Sequence, residues 1–345
     1  MELSIVNSLP QEPWRQFVDR HPAGNIFHTP EMFEVYSRTK GYRPQLWAAV
    51  ANDEILALFL PVQITLFEGF MRPLTTRAVV YGSLLRAAGA RGCDASKLLL
   101  QKYTREVKGN PIFTEVRNLV DPQDMQPTLF DCGFHFEQHL NYLIDLQQPE
   151  AELWHNLSKK TRQHIHKSLS SGLIIEDMQD TKELSTAYRL LAQVYNRISV
   201  PLADKSLFTS AFELLLPKGM MKAFLVRKDQ SCIGFNAFLL YKDQIYDWWR
   251  GSERTYSECQ PESLLLWNIL KWGSENHYRL FDFGGAGKPG EPYGPRVFKS
   301  RWGGTLVNYG RNIYTHSRQR MAISQFGYRL MRIIMFKNHI SGKDW

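Results

Sequence analysis

The residues best suited to chemistry lie late in the chain. Phe281-Asp282-Phe283-Gly284-Gly285 runs into Ala286-Gly287-Lys288-Pro289-Gly290, and Val297-Phe298-Lys299-Ser300-Arg301-Trp302-Gly303-Gly304 follows. The pattern reads as a strand, a glycine-rich loop and a short basic helix. Glycines let backbone approach a ligand closely, and the carboxyl ends of strands are where open α/β sheets place ligands. Asp282 stands at the strand end, Tyr293 within the loop, and Lys299 and Arg301 bring positive charge to the same stretch. Taken as structure alone, the glycines would serve turns and the cations would solvate a helix face. The density of glycines from Gly284 to Gly304, next to an acid at a strand end, favours a site. It is not G-x-G-x-x-G after a first strand, so a dinucleotide fold is not supported.

A second constellation is Trp154-His155-Asn156-Leu157-Ser158-Lys159-Lys160-Thr161-Arg162-Gln163-His164-Ile165-His166-Lys167. On a helix, Lys159, Arg162 and His166 share a face, which could hold phosphates or be a solvated basic surface. His164 and His166 point to different sides, so no metal pair is expected. The third is Tyr246-Asp247-Trp248-Trp249-Arg250. Strict alternation sends Tyr246, Trp248 and Arg250 to one face and Asp247 and Trp249 to the other. One set could line an acceptor cleft with Asn236 while the other packs the core, although aromatics in strands commonly serve packing.

In this order the first two constellations resemble the Fem family of peptidoglycan aminoacyltransferases, within the GNAT acyltransferase superfamily. The W-x-x-L-x-x-K-x-R-x-x-I-x-K helix of that family is matched by Trp154, Leu157, Lys160, Arg162, Ile165 and Lys167. Its D-F-G-G strand end is matched by Asp282 to Gly285, and its later F-K and G-G by Phe298-Lys299 and Gly303-Gly304. The resemblance implies attack of an acceptor amine on an activated acyl group, forming an amide without a covalent enzyme intermediate. It makes Lys299 the group that meets phosphate or transition-state charge, Asp282 the group that positions or deprotonates the amine, and Lys160 and Arg162 the holders of anionic substrate parts. Asn236, Tyr246, Trp248, Arg250, Gly284, Gly285, Tyr293 and Arg301 complete the expected substrate-binding set. The implied donor is aminoacyl-tRNA and the implied acceptor an anionic cell-envelope precursor, with no tightly bound cofactor. Long coiled-coil arms of the tRNA-dependent members have no counterpart, since no segment carries sustained charged heptads. Acyl-CoA is the alternative donor, acting on an amino sugar, polysaccharide or small peptide. However, the stretch Arg254 to Pro261, where a CoA-binding turn would fall, holds no glycine.

Two halves must position these residues. The first half reads as a short strand, helices near Pro13–Arg20 and Pro30–Thr39, and strands at Gln45–Ala51 and Ile55–Thr65. A helix over Ala95–Val107, a strand over Ile112–Leu119, a short helix around Asp124–Asp131 and a strand over His135–Asp145 complete it. After a linker at Gln147 to Glu150, the second half opens with one long helix, Ala151–Ser170. A strand at Leu173–Met178 and helices over Lys182–Ile198 and Ser206–Leu215 follow. Strands at Met221–Arg227, Cys232–Tyr241 and Gln244–Arg250 then form a meander. A helix at Glu262–Glu275, a strand at Arg279–Phe283, a short helix at Pro295–Ser300, a strand at Thr305–Asn312 and a terminal helix at Ser317–Lys337 end the chain. Helix pair, meander, helix, strand is the order of a GNAT domain, and the first half is a degraded copy. The expectation is a mixed α/β chain of two tandem GNAT-like domains, 1–148 and 149–345, without a coiled-coil arm.

Composition sets outer bounds. At 345 residues the chain exceeds one ordinary core. Hydrophobic residues at 43% and charged residues at 22% are globular values. The start carries no basic and apolar leader, and the most apolar stretch, Ile55 to Phe67, is too short and too broken to span a bilayer. Cys93, Cys132, Cys232 and Cys259 have no metal-ligand spacing and read as free thiols of a reducing, cytoplasmic setting. A net charge of +8 and a pI near 9.2 favour anionic partners. The terminal helix, rich in Arg and apolar residues, would dock on its own domain, meet RNA, or lie peripherally on an anionic inner membrane face. No Ser-His-Asp order or G-x-S-x-G elbow suggests a hydrolase. The non-enzymatic alternative is a basic protein that binds RNA or anionic glycans.

Overall fold

The computed structural model describes residues 3–109 and 111–327. They form two compact units, one made of the chain up to Glu137 with Ser199–Pro201 and the residues from Gly310, the other of Gln138–Ile198 and Leu202–Tyr309.

The second unit is built on a seven-stranded sheet in the order Ile174–Asp177, Met221–Lys228, Ser231–Tyr241, Gln244–Ser252, Leu280–Gly285, Asn141–Asp145, Thr305–Val307. Its neighbours are antiparallel except Gln244–Ser252 with Leu280–Gly285, which run parallel. A parallel pair needs a crossover, here the helix Pro261–Glu275. Proline at its first turn costs no bond there, and its Leu264, Leu265, Leu266, Ile269 and Leu270 are buried against Phe224, Phe238, Ile245, Phe281 and Phe283. Each such side chain contributes about 1.5–3 kcal/mol by leaving water.

The first unit repeats the device. Its six-stranded sheet runs Tyr42–Pro44, Val62–Thr65, Thr76–Tyr81, Phe113–Arg117, Arg311–Thr315, His135–Glu137. Thr76–Tyr81 and Phe113–Arg117 are its parallel pair, joined by the helix Gly89–Glu106. A smaller sheet of Ser4–Val6, Trp47–Ala51, Glu54–Phe59 and Leu85–Arg86 completes the unit. The expected mixed α/β architecture of two units is therefore present. The longest described helix has 18 residues.

Several expected elements are altered. The single helix over Ala151–Ser170 is two, Glu150–Asn156 and Lys159–Ser170, because Ser158 caps the second by accepting from Thr161 N. The strand expected over Ile55–Thr65 breaks at Pro61 into Glu54–Phe59 and Val62–Thr65, which serve different sheets. The strand Thr76–Tyr81 escaped the sequence reading, although its Ala-Val-Val-Tyr run ends at a glycine. The strand expected over His135–Asp145 divides between the units, as does that over Thr305–Asn312, so a boundary at 148/149 does not coincide with the compact units. Residues 318–327 are helical, and the rest of the expected terminal helix lies outside the described residues. All four cysteines are free, Cys132 and Cys232 buried and Cys93 and Cys259 half-buried. Among the described residues no helix is long and apolar enough to cross a membrane.

Candidate active site

The parallel pairing in the second unit covers three residue pairs, Gln244 with Leu280, Ile245 with Phe281 and Tyr246 with Asp282. Beyond them the strands part. Gln244–Ser252 stays paired with Ser231–Tyr241 as far as Ser252, while Leu280–Gly285 turns away at Gly284, whose φ of 68° a glycine accepts without strain. In the first unit the equivalent strands stay paired through Tyr81 and Arg117, and Gly82 N still donates to Arg117 O at 3.0 Å. Beyond them Gly82, Ser83 and Leu84 on one side and Asn118 and Val120 on the other line a cavity of the first unit.

A β-bulge shapes one wall of the opening. Ala237 pairs with Trp249 and Phe238 with Asp247, leaving Trp248 as the extra residue. The expected strict alternation is thereby corrected. Asp247 and Arg250 face the same side as Asn236, whereas Tyr246 and Trp249 face the other. The contacts agree: Arg250 Nη2 lies 3.5 Å from Asp247 Oδ2, and Asn236 Nδ2 donates to Asp247 Oδ1 at 3.4 Å. The Arg250 guanidinium also lies 4.8 Å above the Phe298 ring. Trp248 and Trp249 meet Phe208, with ring centroids at 6.0 and 5.2 Å. Tyr246 is buried and donates to Gln244 Oε1 at 2.6 Å. Asn236 Oδ1, Arg250 Nη1 and Trp249 Nε1 are buried yet lack a hydrogen-bond partner in the protein. Buried polar atoms without partners are costly, and at a parting of strands they are candidates to meet a ligand.

The other wall is organised by Lys299 and Asp282. The helix Gly294–Lys299 delivers a buried ammonium whose Nζ donates to the carbonyls of Phe283 at 2.6 Å, Gly284 at 3.2 Å and Gly285 at 2.9 Å. It thus serves backbone acceptors where the parallel ladder ends. Burial pushes its pKa down to about 8, opposed by Asp247 and Asp282 and assisted by Arg250. Asp282, also buried, accepts from Asn141 Nδ2 at 2.7 Å and Gly284 N at 2.6 Å. Burial raises its pKa, and those hydrogen bonds with the nearby Lys299 charge pull it back.

The structure therefore brings Asn236, Arg250, Asp282, Gly284, Gly285 and Lys299 into connected surroundings. Tyr246, on the other face of the sheet, stands beside Asp282, whose charge adds to burial in raising its pKa, and Trp248 lies on the same strand outside the cluster. Tyr293 is exposed at the start of the helix Gly294–Lys299, its ring over Gly287. Arg162 is committed to backbone: its Nη1 donates to the carbonyls of Leu157 at 2.6 Å, His155 at 2.9 Å and Trp154 at 3.4 Å, closing the end of the preceding helix. Lys160 is exposed; with Arg301 and Lys167 it holds the pKa of His164 below its ordinary value, after the larger effect of burial, so these cations form one basic patch. Sequence reasoning missed Asn141 and named Asp247 in the strand motif without placing it in the binding set. Arg296 was also missed; it binds the carbonyls of Ala286, Lys288 and Glu291 and so fixes the glycine loop. A cavity of about 740 Å³ lies in the first unit, lined by Arg20, His21, Asp53, Glu54 and Arg86 among others, and none of the sequence-predicted site residues lines it.

Residues 155–299 match the family described as acetyltransferase (GNAT) domain. The matched stretch holds the meander, the crossover helix and the two strands that part. No curated protein sequence matches the chain. Among solved structures, FemX superposes with a TM-score of 0.69 at 15% identity, covering 96% of this chain and 99% of that one. The C-terminal domain of a putative lysylphosphatidylglycerol synthetase from Agrobacterium fabrum gives 0.57 at 13% identity, with 93% and 95% covered. A tandem GNAT protein from the clavulanic acid biosynthesis pathway gives 0.59 at 11%, with 92% and 99% covered. The chain thus shares the fold of FemX along nearly its whole length.

Proposed function

We propose that the chain is an N-acyltransferase that seats the activated acyl group where Gln244–Ser252 and Leu280–Gly285 part, and transfers it to an amine. The parting carries this reading: it leaves Asn236 Oδ1 and Arg250 Nη1 buried and unpaired on one wall, and on the other a glycine turn fastened by Lys299 and Asp282. Backbone freed from a ladder can bind an acyl chain as an added strand would. A cation held nearby favours the oxyanion of the tetrahedral intermediate. Lys299 reaches that charge through the peptide groups that it orients, and Asp282 holds the turn.

The acceptor we propose is an amine of an anionic, peptidoglycan-type envelope precursor, and the donor an aminoacyl-tRNA. The exposed Lys160 and Lys167, with the half-buried Arg301, suit phosphates. The helix after the opening argues against the pyrophosphate of acyl-CoA. It begins at Pro261, which has no N–H, and carries Glu262 in its first turn. Both features weaken a helix start as an anion site. The short described helices, which offer no arm for tRNA, favour acyl-CoA as the second reading. The test is mass-resolved detection of transfer by the purified protein to UDP-linked and lipid-linked muropeptides, with charged tRNA and acyl-CoA offered separately. An aminoacyl mass gain that needs charged tRNA is expected. A gain only with acyl-CoA would move the protein to the second reading, and none with either would remove both donors.

A further inference from the structure

The first unit carries an exposed apolar surface formed by an excursion between two strands. Between the antiparallel strands Val62–Thr65 and Thr76–Tyr81 the chain makes an excursion from Leu66 to Thr75 where a two-residue turn would suffice. At its outer end Leu66 is 42%, Phe67 54% and Phe70 90% exposed. The excursion is held in shape: Thr75 Oγ1 lies 3.3 Å from Phe67 N, 3.0 Å from Phe67 O and 3.0 Å from Met71 O. Arg72 lies 4.0 Å from Glu68, offsetting its one acid. Large apolar groups fixed outward in this way are costly in water unless something covers them.

A second segment adjoins it. The helix at 318–327 reaches the excursion through Arg320 Nη1, which donates to Pro73 O at 3.5 Å. One turn further along, Ile323 is 56% and Phe326 69% exposed. Cations surround both: Arg318 is exposed on the helix, and Lys40 and Arg43 are exposed beside the turn whose Gly41 O accepts from Thr65 N at 2.9 Å. No acid occurs between His316 and Gly327. Protruding aromatics within a collar of arginine and lysine match the boundary between acyl chains and anionic head groups, whereas an apolar protein partner would make no use of the cations.

We propose that the Leu66–Met71 tip and the Ile323–Phe326 face insert together into the surface of an anionic lipid bilayer. The proposal does not depend on the acyl donor or acceptor. Flotation of the full chain with vesicles tests it. Recovery with phosphatidylcholine–phosphatidylglycerol vesicles should exceed that with phosphatidylcholine alone and fall with added salt. Phe67→Ser with Phe70→Ser should lower partition about tenfold per phenylalanine, and Ile323→Ser with Phe326→Ser should lower it comparably. These side chains are exposed and lie outside the acyl site, so thermal unfolding and transfer to a water-soluble acceptor should not change. Absence of the wild-type chain from floated anionic vesicles would overturn the proposal. So would undiminished flotation of the Phe variant, or a dimer seen by light scattering that this variant dissociates while vesicle binding stays the same.

Discussion

Lys299 is a buried cation whose three bonds all go to backbone, so its removal acts on structure and rate together. Lys299→Met is expected to lower stability by about 1–3 kcal/mol, from carbonyls left unpaired, and to reduce turnover by about 100-fold or more. Chemical denaturation alongside initial rates checks both. The sign of the pH effect follows from the lowered pKa. Between about 8 and the ordinary 10.5 the unfolded chain binds the proton more readily, so wild-type stability gains from Lys299 as pH rises through that window. Below about 8 the full cost of burying the charge stands. Melting curves of the wild type minus those of Lys299→Met should show the rise. Asp282→Asn retains an oxygen that can accept from Asn141 and Gly284, so turnover is expected within about tenfold of wild type, with Asp282→Ala clearly weaker. A loss with Asn as deep as with Ala would make the carboxylate a proton acceptor. Both residues were legible as site candidates because a strand, glycines and a basic helix stand close in sequence. Asn141 was not, because it meets Asp282 from 141 residues away.

At the scale of elements, the motif helix proved to carry more structure than charge recognition. Leu157 and Ile165 are core residues, Trp154 packs on Trp267 with centroids 5.0 Å apart, and Arg162 closes the carbonyl end of Glu150–Asn156. Arg162→Met should therefore cost about 1–2 kcal/mol of stability while leaving the KM for an anionic acceptor nearly unchanged. A raised KM at unchanged melting temperature would return Arg162 to substrate binding. Apolar periodicity located most strands and helices of the second unit. It could not give the break at Ser158, which depends on a cap, nor the bulge at Trp248, since a single added residue leaves no periodic trace yet reverses which side chains face the opening. Strand Thr76–Tyr81 was passed over because a buried parallel strand reads as a continuous apolar run rather than an alternation.

For the whole molecule, the two units repeat a hairpin, a crossover helix and a parallel strand, but the polar cluster of Asp247, Arg250, Asp282 and Lys299 lies in the second unit. One donor should bind per chain: titration calorimetry with a hydrolysis-resistant donor analogue is expected to give a stoichiometry near one, and a value near two would mean that the first unit's cavity beside Gly82 and Asn118 also takes an acyl group. The tandem plan was readable from element order, whereas the chain's path between units was not, since strand pairing over long separations leaves no local mark. His135–Glu137 and Arg311–Thr315 are hydrogen-bonded neighbours in the first unit's sheet, although residues 138–309 intervene. In effect the entire second unit occupies the place of a hairpin turn. During synthesis the ribosome must therefore complete the whole second unit before the first unit can receive the strand that lies between Phe113–Arg117 and His135–Glu137. The part of the protein made first is the part that finishes folding last, and a chain released before residue 311 would leave two strand edges facing a gap.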